Sequence, residues 1–81
     1  MQERIRDVLA AHGRMAVDPR DVDGNADLYE LGLTSHASVN VMLALEDAFD
    51  VEFPDRLLTK ATFSSVAAIE AALAEASAVS A

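Results

Sequence analysis

Cysteine is absent from the 81-residue chain. That excludes disulfides and thiolate metal sites, and it leaves the redox surroundings unreadable from this residue type. Long apolar runs are also missing. No segment approaches the ~20 apolar residues of a membrane-spanning helix, and no charged n-region followed by an apolar stretch opens the chain. A soluble, cytoplasmic protein is the expectation. Basic residues are scarce, with six against fourteen acids and a formal charge of −8. Such a balance repels nucleic-acid backbones and anionic membranes, so neither is expected as a partner, whereas basic protein surfaces are favoured. Three glycines and two prolines are present, and all but Pro54 fall between residues 13 and 32. The breakers are gathered into one loop.

At this length the chain reads as a single domain over residues 1–81, too small for a two-layered catalytic cleft, since a fold of this size buries only about 60% of its unfolded surface. Helical periodicity dominates, with no competing strand signal. Met1, Ile5, Val8, Leu9 and His12 recur at helical spacing, and Gly13 is a natural stop, giving a first helix over residues 1–13. Residues 14–34, with Pro19, Gly24, Gly32 and several aspartates, read as a long loop tied to the core by Val17, Val22, Leu28, Tyr29 and Leu31. A second helix is expected over residues 35–50, and Pro54 forbids its extension. A short helix follows at 55–60, then a last helix over 64–77 capped by Ser64 or Ser65 and burying Val66, Ile69, Ala72, Leu73 and Ala76. The expected class is all-α, and the expected state a monomer.

Ser35 stands where the loop turns into the strongly apolar second helix. A hydroxyl at a helix start can cap free N–H groups, and a phosphate attached there would be favoured by the same groups and by the helix dipole. The helix itself has more apolar residues than one buried face needs. At 100° per residue, Val41, Met42, Leu45, Ala48 and Phe49 form the core stripe. Val39 and Leu43 fall on the other side, beside His36, Glu46, Asp47 and Asp50. An apolar pair ringed by acids suits docking, with contact supplying affinity and charge steering a basic partner.

Other chemistries fit the residues less well. Asp21, Asp23, Asn25, Asp27 and Glu30 resemble a calcium loop with Gly24 at the sixth position, but the first ligand would then be Pro19, which has no side-chain oxygen. Acidic loop residues more commonly bond to neighbouring backbone. Ser35 and His36 are helix neighbours and point about 100° apart, which is wrong for a nucleophile and its base. No Gly-x-Ser-x-Gly elbow is present, because Gly32 precedes Ser35 by three. Two histidines without a suitably spaced carboxylate make no zinc site. No metal and no catalytic residue is therefore expected, and the chain reads as a non-enzyme.

The ordered set of a first helix, a long loop, Leu31-Gly32-x-x-Ser35, the Val39 to Glu46 helix and Phe49-Asp50-Val51-Glu52-Phe53-Pro54 resembles the acyl and peptidyl carrier proteins over nearly the whole chain. Phe63-Ser64-Ser65-Val66 is similar to that family's last segment. The resemblance implies a four-helix bundle of three main helices and one short one. It also implies 4′-phosphopantetheine attached covalently to Ser35, whose terminal thiol would hold acyl or aminoacyl cargo as a thioester. The implied partners are a phosphopantetheinyl transferase, an acyl- or aminoacyl-loading ligase and downstream acyl-transfer enzymes. They would dock on Thr34, His36, Val39, Leu43, Glu46, Asp47 and Asp50. Thr34 stands where the family commonly has aspartate, His36 where it has leucine, and Asn40 replaces a frequent acid. These departures resemble a discrete aminoacyl carrier loaded by a stand-alone ligase. The alternative is an unmodified acidic helical adaptor using the same face.

Overall fold

The computed structural model describes residues 2–80, with side-chain surroundings through residue 77. Met1, expected on the first apolar stripe, lies outside the described residues. The described chain is all-helical, with three α-helices: α1 (Gln2–His12), α2 (Ser35–Phe49) and α3 (Val66–Ser80). Ile5 and Leu9 of α1, Ala37, Val41 and Leu45 of α2, and Val66, Ile69, Leu73 and Ala76 of α3 meet in one core. Phe53 and Phe63 close it edge-to-face, with ring centroids 5.7 Å apart. Among the described residues no polar side chain is buried. None of their helices is long and apolar enough to cross a membrane.

The first helix does not end on a left-handed glycine, and Gly13 is instead a position with no room for a side chain. The Gly13 N–H donates to the Leu9 carbonyl at 2.8 Å, and a Cβ at Gly13 would lie 2.7 Å from that same oxygen. The positive φ falls one residue later, on Arg14 (φ 51°).

The long segment to Thr34 is ordered by polar contacts that periodicity does not reveal. Arg6 reaches from α1 to donate to the carbonyls of Pro19 (2.8 Å) and Val22 (2.5 Å), around a 3-10 turn at Pro19–Asp21. Oδ1 of Asp18, Asp23 and Asp27 each accepts from the backbone N–H two residues on, at 2.8–2.9 Å. These aspartates are turn formers. Leu28 is fully buried, and its N–H donates to the Ser64 carbonyl at 2.7 Å. The Gly24 carbonyl accepts from Ala67 N–H at 2.9 Å, satisfying a free donor in the first turn of α3. Val17, expected to tie the loop to the core, is instead 41% exposed, because the turn that begins at Pro19 carries the chain back without it.

The short helix expected over 55–60 is a single 3-10 turn, Asp55–Leu57, covering only the first half of that range, and a second turn follows it at Ala61–Phe63. Leu58 adopts φ −87° and ψ 64°, which breaks helical continuation. The Thr59 hydroxyl then accepts from Thr62 N–H at 3.4 Å and starts the second turn separately. At α3 the choice between two serines is resolved. Ser65 Oγ accepts from Ala68 N–H at 3.0 Å, whereas the Ser64 hydroxyl donates to the Ala61 carbonyl.

Candidate functional site

Ser35 is the first residue of α2, and two adjacent hydroxyls compete for the cap. Thr34 takes it. Its backbone is extended (φ −100°, ψ 161°), and its Oγ1 accepts from Ala37 N–H at 3.0 Å. Ser38 Oγ donates to the Ser35 carbonyl at 2.7 Å and tightens the turn. The Ser35 side chain is exposed, and among the described residues its hydroxyl has no hydrogen-bond partner. An oxygen with no structural duty therefore stands in the first turn of a fifteen-residue helix, where the leading N–H groups lack intrahelical partners.

That oxygen opens onto a shallow groove of about 190 Å³ whose walls include Tyr29, Ser38, Val39, Met42, Leu58 and Lys60. The Lys60 ammonium sits over the Tyr29 ring, 4.9 Å from its centroid. The donor set fits a phosphate ester with an organic tail: a free hydroxyl to carry it, helix N–H groups and a cation for its charge, and an apolar wall. Tyr29, Leu58 and Lys60 were not among the residues expected at the site. One signal for Lys60 existed, since it is the only lysine in a strongly acidic chain.

The other expected residues separate into four groups. Thr34, His36 and Val39 share the start of α2 with Ser35. Further along the helix, Leu43 and Asp47 are exposed, and Val39 and Leu43 are 52% and 54% accessible. Glu46 is used internally. Its carboxylate accepts from Phe53 N–H at 2.9 Å, and its carbonyl accepts from Val51 N–H at 3.1 Å. Asp50 ends the helix in the left-handed region (φ 53°), roughly 22 Å from Ser35 by the 1.5 Å rise per residue. No hydrogen bond joins Ser35 to His36 among the described residues.

Comparison with known proteins bears on this arrangement. Residues 3–73 match the family described as phosphopantetheine attachment site. The aminoacyl carrier protein of Agrobacterium fabrum is 47% identical over 70 residues, covering 86% of this chain and 84% of the relative. The fold superposes with a TM-score of 0.88 and 44% identity on the crystal structure of an engineered Bradyrhizobium japonicum glycine:[carrier protein] ligase complexed with carrier protein from Agrobacterium tumefaciens and AMP, covering 91% of this chain and 99% of that one. A further match, with a TM-score of 0.73 and 34% identity, is to a chain of the crystal structure of the Bradyrhizobium japonicum glycine:[carrier protein] ligase complexed with glycylated carrier protein, covering 86% of this chain and 93% of that one.

Proposed function

This chain belongs to the phosphopantetheine-attachment family of carrier proteins, and on that premise we propose that it carries an amino acid as a thioester on an arm attached to Ser35. The free Ser35 hydroxyl carries this reading: because Thr34 holds the cap, the oxygen can be esterified without opening the helix. The 4′-phosphopantetheine arm supplies the thiol that the cysteine-free chain lacks. The family is one of carriers rather than catalysts, and the residues here position and present. The first-turn N–H groups favour the phosphate, and Lys60 stands on the groove wall to offset its charge. The apolar wall of Leu58, Val39 and Met42 accepts the uncharged part of the arm.

The partners follow from the same surface. A phosphopantetheinyl transferase would read Thr34 and His36 beside the serine. A stand-alone aminoacyl ligase would load the thiol, as the relatives' complexes with a glycine:[carrier protein] ligase suggest, and acyl-transfer enzymes would unload it. Docking uses Val39 and Leu43 for contact and Asp47 and Asp50 for steering. Glu46 contributes by holding the end of α2 rather than by touching the partner. A cytoplasmic site of action suits loading by a nucleotide-using ligase.

Intact mass after incubation with a transferase and coenzyme A tests the reading. One phosphopantetheinyl increment is expected on the parent chain and none on Ser35→Ala. Subsequent incubation with the Bradyrhizobium ligase, ATP and glycine should add one glycyl group to the modified parent. An increment persisting in Ser35→Ala would overturn the site, and a modified chain that accepts only fatty acyl groups would overturn the aminoacyl cargo.

A further inference from the structure

Five of the six basic side chains are engaged within the molecule. Arg4 donates to the Ala48 carbonyl and lies over the Phe49 ring. Arg6 holds the loop carbonyls, Arg20 pairs with Asp7 and Asp18, Arg56 pairs with Glu75, and Lys60 sits on Tyr29. Arg14 is the exception. Among the described residues no acid, carbonyl or ring holds its guanidinium, although the chain contains fourteen acids.

Its surroundings are concave. With Thr34, His36 and Asn40, Arg14 lines a hollow of about 340 Å³. With His12, Asn40, Leu43 and Asp47 it lines another of about 560 Å³. The two hollows adjoin at Arg14 and Asn40, which line both, and together they make a trough-like face between the end of α1 and the outer side of α2. Ser38 and Met42, which face the Ser35 groove, lie on the opposite side of the helix from Asn40 and Asp47 by its 100° periodicity, and Val39 stands on the border beside Leu43. The trough is therefore separate from the groove into which the Ser35 oxygen opens. Its charge changes along its length, from Arg14 near the start of α2 to Asp47 further down, with exposed Leu43 between.

Resting on the carrier reading, we propose that this trough seats a segment of the loading ligase that carries a carboxylate opposite Arg14, a cation opposite Asp47 and an apolar side chain over Leu43. Charge complementarity selects this occupant. The net charge of −8 draws basic surfaces of every kind. A uniformly basic surface would bring like charge onto Arg14, whereas a partner with an acid at that point replaces the repulsion with attraction as it closes over the trough. Arg14 thus acts as a specificity-determining residue within an otherwise acidic recognition face.

Association of the unmodified chain with the Bradyrhizobium glycine:[carrier protein] ligase, followed by stopped-flow or biosensor kinetics, tests this. Arg14→Glu should associate roughly tenfold more slowly, and Arg14→Lys within about twofold of the parent. Arg14→Asn, which tolerates the left-handed backbone, should keep the parental melting temperature and slow association roughly threefold. The sign is decisive, because Arg14→Glu makes the chain more acidic and steering by net charge alone would speed it. Association of Arg14→Glu at or above the parental rate would overturn the proposal. A parent chain that accepts the arm but does not bind the ligase would overturn the named partner and leave the carrier reading standing. A parent that binds but is never modified would overturn the carrier reading, and the Arg14 series would still decide the trough.

Discussion

Thr34 and Ser35 differ by one methyl group, yet the turn into α2 gives them separate work. Extended backbone at Thr34 aims its oxygen at Ala37 N–H, while helical backbone at Ser35 turns its oxygen outward. The energetic consequence is an asymmetry. Thr34→Ala removes a cap and should cost about 1 kcal/mol, lowering the melting temperature by roughly 4–8 °C for a domain of this size. Ser35→Ala removes an exposed, unbonded hydroxyl and should stay within about 0.5 kcal/mol. Calorimetry on both variants checks the pair, and a larger loss from Ser35→Ala would sink the assignment of the cap. Thr34 meets the Ala37 N–H without adding a negative charge beside Ser35.

At the scale of elements, α2 carries both the candidate site and the anchor that fixes its far end. Its acidic residues look alike in sequence but divide by function once Phe53 N–H is seen on the Glu46 carboxylate. That bond holds the strand of chain that delivers Phe53 to Phe63. Glu46→Ala should therefore cost about 1.5–3 kcal/mol, the range for a hydrogen bond to a charged group. The loss should appear as a lower urea midpoint and faster hydrogen exchange at the Phe53 amide, with modification at Ser35 unimpaired. Unchanged protection at Phe53 would show that Glu46 is free for a partner after all. The two turns after α2 follow the same logic. The residues support helix locally, but Leu58 leaves helical geometry and becomes a wall of the Ser35 groove.

For the whole molecule, the long-range field governs encounter and the local surface governs fit. A charge of −8 should give association with a basic partner a steep salt dependence. Asp47→Lys combined with Asp50→Asn should slow association and flatten that dependence, measured from 50 to about 300 mM salt, roughly the span over which screening shortens below 10 Å. Asparagine is chosen at position 50 because the left-handed backbone tolerates it. Identical salt slopes for the parent and the variant would remove these two acids from the steering surface.

The all-helical class, the apolar faces of the helices and the exposure of Val39 and Leu43 were legible from the chain alone. Each rests on spacing within a single element, where side-chain direction follows directly from backbone periodicity. Family resemblance added the phosphopantetheine arm and the aminoacyl carrier, both of which the match over residues 3–73 and the Agrobacterium relative support. Tertiary structure decided the remainder: that Thr34 rather than Ser35 caps α2, that Arg6 organises the loop, that Lys60 and Leu58 share a groove with Ser35, and that Arg14 is left without a partner among the described residues. These outcomes depend on which groups from distant parts of the chain meet. Short-range spacing specifies a face, but only the packed fold determines which donors and charges across that face are already satisfied.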